Sequence, residues 1–127
     1  MESDEDDPFT RSVIGAAIEI HRHLGPGLLE SIYHRCLSHE LKLRNIAHES
    51  QVRLPVTSKG MVLGDDLVMD LVVRKELVLE LKAVDELQPI NEAQLLTDLR
   101  LSGIRRGLLM NFNVRFLKDG IRRRVLG

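Results

Sequence analysis

Two hydrophobic periods divide the chain. From Val13 to Leu41 apolar residues recur at helical spacing, and from Ser50 onward they alternate or run together as they do in strands. Asp7-Pro8 reads as an N-cap followed by a proline in the first helical turn. Val13, Ile14, Ala17, Ile18 and His21 form the stripe of that helix, and Leu24-Gly25-Pro26-Gly27 stops it. A second helix starts near Leu28 and runs to about Arg44, with Leu29, Tyr33, Cys36, Leu37 and Leu41 on one face. The pair predicts a helical hairpin.

Ser50, Val52, Leu54 and Val56 alternate with Gln51, Arg53 and Pro55, which predicts a strand; Pro55 argues for a sheet edge. Ser58-Lys59-Gly60 reads as a turn. Residues 61–73 and 77–84 follow as apolar strands, separated by Arg74-Lys75-Glu76. Pro89 to Ser102 fits a third helix, with Ala93, Leu95, Leu96 and Leu99 toward the core and Gly103 as its stop. Leu108 to Phe112 is a further short strand, and Lys118-Asp119-Gly120 is a turn before a basic last segment, Ile121 to Val125. The order α-α-β-β-β-α-β predicts the α/β class, one mixed β-sheet flanked by helices. No repeat or linker interrupts the 127 residues, so one domain is expected over 9–127 behind an acidic N-terminal tail, 1–8.

Charge is unevenly spread. Net charge is −1, yet residues 1–10 hold five acids and no base, while residues 100–127 hold eight bases against one acid. The basic end, with Arg122, Arg123 and Arg124, suits nucleic-acid phosphates, although a solvated surface is the plainer reading. The acidic start lacks the basic and apolar regions of a signal peptide, and no apolar run reaches the roughly 18 residues of a membrane span. Cys36 is the one cysteine, so no internal disulfide can form and a reducing cytoplasm is expected. Aromatics are 3% of the chain, which disfavours a surface built on base stacking. His21 and His23 diverge on their helix, as do His34 and His39, so no zinc site is expected. No Gly-rich loop with Lys-Ser/Thr points to nucleoside triphosphates.

The chemistry-bearing stretch is Met69-Asp70-Leu71-Val72-Val73-Arg74-Lys75-Glu76-Leu77-Val78-Leu79-Glu80-Leu81-Lys82. Ionised groups are costly in a buried strand unless partnered or metal-bound. Glu80 and Lys82, two apart, share a face. A three-residue loop at 74–76 pairs Val73 with Leu77 and sets Asp70 opposite Glu80; a two-residue loop pairs Asp70 with Leu81 and turns the acid away. In the first register Asp70, Glu80 and the Leu81 carbonyl can hold Mg²⁺ or Mn²⁺, and Lys82 can stabilise charge on a phosphate under attack by water. The plainer reading of the same residues is a surface salt-bridge ladder, Glu80 to Lys82 or Asp70 to Lys82.

Gly27-x-x-Glu30-x-x-Tyr33 places Glu30 and Tyr33 as neighbours on the second helix. This motif, with Ile14 to His21, Leu24 to Glu30, Leu79-Glu80-Leu81-Lys82-Ala83-Val84, Glu92 to Leu96 and Gly107 to Asn113, resembles the GxxExxY family of PD-(D/E)XK-type proteins. The resemblance runs in order from Val13 to the end. It implies a restriction-endonuclease-like fold, with the metal site on the central hairpin. It also implies roles: Asp70 and Glu80 as ligands, Lys82 as catalytic lysine, Glu30 as an acid reaching the metal through water, and Gln94 as the helix glutamine near the site. Two features depart from related nucleases. The fourth residue after Gln94 is Asp98 where a tyrosine is usual, and Leu67-Val68 stand where aromatic and basic residues often precede the hairpin acid. The expected function is metal-dependent hydrolysis of DNA or RNA. The alternatives are a non-catalytic nucleic-acid-binding module and a homodimeric scaffold of the same fold.

Overall fold

The computed structural model describes residues 7–127, with the backbone alone at 64–66. Of the expected acidic tail, residues 1–6 lie outside the described residues.

Helices α1 (Pro8–Leu24) and α2 (Glu30–Leu43) form the expected hairpin. The Asp7 carboxylate caps α1, accepting from the Thr10 backbone N–H at 3.2 Å and from its hydroxyl at 2.9 Å. It also pairs with the Arg106 guanidinium at 2.5 Å, which ties the start of α1 to the sheet and holds the Asp7 carboxyl down to about 2.

Five strands follow: β1 (His48–Ser58), β2 (Met61–Val73), β3 (Leu77–Lys82), β4 (Arg106–Asn111) and β5 (Ile121–Val125). They lie in sheet order β1-β2-β3-β4-β5, and only β3–β4 is parallel among these neighbours. Helix α3 (Pro89–Ser102) makes the crossover that this parallel pair requires. β1 is an edge strand, and its pairing shifts between Pro55 and Thr57, where proline supplies no donor. The sequence order omits β5. Its consecutive arginines show no period of two, yet the segment pairs with β4 from Ile121 to Val125.

The sheet separates two apolar layers. Leu77, Leu79 and Leu81 of β3 pack with Leu71, Val73, Leu108 and Met110 against α1 and α2. Met69, Val72, Val78 and Leu109 pack against Leu95 and Leu99 of α3 on the other face. Alternation along β3 therefore sends Glu80 and Lys82 toward α3. Two residues expected on helix core faces are exposed instead. Leu29 is 72% accessible because it precedes the first turn of α2, and Ala93 turns outward from α3.

The β2–β3 loop has three residues, and Val73 pairs with Leu77. Arg74 and Lys75 both adopt left-handed backbone, at φ 52° and 57°. That conformation is unfavourable for side chains other than glycine by roughly 1 kcal/mol each. Three contacts offset it: Glu76 N–H donates to Val73 C=O at 3.0 Å, Arg74 N–H donates to Ala47 C=O at 2.9 Å, and the Arg74 guanidinium lies 4.8 Å from the Phe9 ring centroid.

Gly107 lets α3 sit close on β4. A Cβ there would lie 2.7 Å from Leu95 Cδ1 and 3.1 Å from Leu99 Cδ2. Gly107→Ala is expected to destabilise the fold by about 1–3 kcal/mol through overpacking, read by urea denaturation. An unchanged midpoint would show that α3 yields freely.

Candidate active site

The hairpin register decides the site. Backbone pairing of β2 with β3 runs through Leu71↔Leu79 and stops there. At the next step side chains take over the bonding. Leu81 N–H donates to Asp70 Oδ2 at 2.8 Å, and Asp70 N–H points to Glu80 Oε1 at 3.4 Å. Beyond this point β2 leaves β3, and a cleft of about 380 Å³ opens between the hairpin and α3. Glu30, Asp70, Glu80, Lys82 and Gln94 all line it, as do Leu67, Val68 and Ala93.

Asp98 is the residue that sequence reasoning passed over. It appeared only as the absence of a tyrosine. It is buried on α3 and lines the cleft with Glu80, so that a proton on one carboxyl can be donated to the other. Burial, the Asp98 carboxyl and the nearby Asp70 charge push the Glu80 carboxyl up to about 10. Burial also raises Asp98, with Asp70 adding to the rise and Lys82 opposing it. Glu30, the first residue of α2, is raised too, by desolvation first and then by Asp70, again against Lys82. Four acids thus surround one lysine, an excess of negative charge that favours protons or a cation.

Gly27 and Tyr33 act at a different place from Glu30. Tyr33 is fully buried and stacks on Phe112 with ring centroids 4.7 Å apart. Its hydroxyl donates to Gly25 C=O at 2.6 Å and accepts from Leu28 N–H at 3.2 Å. Gly27 has φ 97°, and its N–H donates to Asn113 Oδ1 at 3.0 Å. The motif's glycine and tyrosine therefore brace the α1–α2 loop and aim Glu30 at the cleft. Asn111 supports the same end of the sheet: its buried side chain accepts from Val84 N–H at 3.0 Å and donates to Val84 C=O at 2.9 Å. Asn111 and Asn113 were legible only as part of a family-like block.

Arg122, Arg123 and Arg124 are not brought to the cleft. They lie on β5, where Arg124 pairs with Glu92 and Arg122 donates to the carbonyls of Asp119 and Ile121. Among the described residues no group of three or more His, Cys, Asp or Glu side chains is arranged to hold a metal ion. A cation here would draw on fewer carboxylates, and the oxygen set of Asp70, Glu80 and the Leu81 carbonyl fits Mg²⁺ or Mn²⁺, which keep several waters. Among the described residues no helix is long and apolar enough to cross a membrane.

Comparison with known proteins agrees with this architecture. No curated protein sequence matches the chain. The crystal structure of SSO0001 is similar at TM-score 0.50 and 26% identity, over 73% of this chain and 46% of that one, so this chain spans under half of its length. A sequence profile described as the PD-(D/E)XK nuclease superfamily matches residues 7–124, from the cap of α1 through the hairpin acids to β5. The mixed sheet between helices, with acids and lysine on its central hairpin, is the restriction-endonuclease-like fold, and the chain belongs to the PD-(D/E)XK nuclease superfamily.

Proposed function

We propose that this chain is a Mg²⁺- or Mn²⁺-dependent nuclease of the GxxExxY type, hydrolysing phosphodiester bonds in DNA or RNA. The observation that carries the reading is the convergence of Asp70, Glu80 and Lys82 on one cleft lined also by Glu30 and Gln94. Asp70 and Glu80 would hold the cation with the Leu81 carbonyl, which strand geometry directs to the same edge as the Leu81 N–H that Asp70 already engages. A bound divalent cation supplies charge against the phosphate and lowers the pKa of adjacent water.

The chain's own groups do the rest. Lys82 Nζ donates to the phosphate oxygen as negative charge grows on it. Glu30, at the rim, accepts a hydrogen bond from water and orients it. The Gln94 amide donates to a second phosphate oxygen. Glu80 must give up its proton before it can bind a cation, so binding releases protons and strengthens as pH rises.

Two outcomes are expected. Lys82→Ala and Glu80→Ala each lower Mn²⁺-dependent cleavage of labelled DNA and RNA by about 100-fold or more while the far-UV circular dichroism is unchanged. Undiminished cleavage in both variants would contradict the reading. The second concerns the metal-free protein. Burial and its acidic neighbours push the folded Glu80 carboxyl up from the ordinary 4.5 to about 10, so the folded state binds the extra proton. The corresponding stability is complete below about 4.5 and is lost progressively as pH rises toward about 10. Glu80→Gln carries no ionisable group there and is expected to be more stable than wild type by roughly 1–3 kcal/mol in the upper part of that window, by urea denaturation in EDTA. Mn²⁺ should stabilise wild type and leave Glu80→Gln unaffected. Equal pH dependence of the two proteins would contradict the assignment.

A further inference from the structure

Gln51 is unique among the described residues in combining a strand position away from a turn with a left-handed non-glycine backbone. Its φ is 53°; Asn45 follows the end of α2, Lys59 sits in the β1–β2 turn, and Arg74 and Lys75 sit in the β2–β3 loop. The flanking pairs Ser50↔Leu71 and Val52↔Met69 keep one register across it, which places Gln51 opposite Asp70, where the β1–β2 ladder is interrupted. A strained residue across from a candidate ligand is costly, and such strain persists where the surroundings hold it for a purpose.

The side chain shows where that purpose lies. Gln51 Nε2 reaches His34 Nδ1 at 3.4 Å, bridging β1 to α2. Together they form one wall of a second trough, about 500 Å³, lined by Glu30, Ser31, His34, Arg35, Gln51 and Asp70. Glu30 and Asp70 line both this trough and the cleft beside α3, so the two adjoin at these carboxylates. The far end holds hydrogen-bond donors. Ser31, His34 and Arg35 occupy positions i, i+3 and i+4 of α2 and so share a face. Arg35 is exposed and has no ion-pair partner among the described residues, unlike Arg44, Arg106 and Arg124. Carboxylates at one end and donors at the other match a strand with one phosphate at the cation and the next beside the donors.

We propose that the trough between β1 and α2 is a backbone subsite for a nucleic-acid strand, in which Arg35 and the strained Gln51, with His34 and Ser31, hold the phosphodiester next to the one at the metal centre. This rests on the nuclease reading for the identity of the ligand. Gln51 is a positioning residue: its backbone conformation aims the amide into the trough and opens β1 opposite Asp70.

The test separates the two readings because it needs no catalysis. Fluorescence anisotropy of labelled DNA and RNA oligonucleotides is titrated with the full chain in EDTA, and thermal melts are recorded alongside. Gln51→Gly, which accepts the left-handed backbone without strain, should raise the melting temperature by a few degrees and weaken binding about three- to tenfold. Arg35→Ala should weaken binding and lower the slope of log affinity against log salt by about 0.7–0.9. Arg11→Ala, at an exposed position of α1 outside both linings, should leave both unchanged. The subsite is overturned if Gln51→Gly binds as tightly as wild type, if Arg35→Ala leaves affinity and salt slope unaltered, or if wild type binds no oligonucleotide. The nuclease reading stands or falls separately, on Mn²⁺-dependent cleavage.

Discussion

The three-residue connection at 74–76 is the constraint on which the site depends. One residue fewer would move β3 by one step and send Asp70 to the face opposite Glu80. The connection is unfavourable in itself, since Arg74 and Lys75 both hold left-handed backbone, and it persists because Ala47, Val73 and Phe9 hold it in place. Register, set at the exposed end of a hairpin, thereby determines which acids meet at its other end. There the backbone ladder stops and Asp70 bonds the Leu81 N–H through its side chain, so the strands part and leave carboxylate oxygens facing a cleft.

What approaches this hairpin is set by two further devices. The α1–α2 loop is braced by Tyr33 and Asn113, so the first residue of α2, Glu30, arrives at the cleft in a defined place. Gly107 lets α3 sit tightly on β4, which brings Asp98 against Glu80. Three separate segments thus deliver acids to one place, and lone lysine Lys82 does not neutralise them. The raised Glu80 and Asp98 carboxyls favour a proton at this place in the metal-free site, and a divalent cation would relieve the charge in another way. The same groups would lower the stability of the apo protein as pH rises and would make it metal-binding.

Much of this was legible in the sequence. Asp7-Pro8 marked the start of α1, Pro89 and Gly103 bracketed α3, and Pro55 marked the edge strand, because caps, prolines and glycines act locally. The spacing at 74–76 left two registers open, and the backbone pairing of Val73 with Leu77 selects the one that sets Asp70 opposite Glu80. Other features depend on contacts between distant segments. β5 escaped because its residues are paired but only partly covered, so Arg122 to Arg124 need no apolar alternation. Asp98 escaped because a polar residue at a buried helix position has meaning only once Glu80 is seen to face it. Gln51 sat on the polar side of an alternating strand, and its sequence context gives no sign of left-handed backbone. Tyr33 was placed by spacing both on the apolar face of α2 and beside Glu30, and it is the first placement that its burial bears out.

The most direct test of the central claim, that register brings Asp70 and Glu80 together as cation ligands, is calorimetric titration of Mn²⁺ into wild type and Asp70→Asn in buffers of different ionisation enthalpy. Wild type is expected to bind with release of protons to the buffer, and Asp70→Asn with affinity reduced by about tenfold or more. Undiminished binding in Asp70→Asn, or binding to wild type without proton release, would contradict that claim.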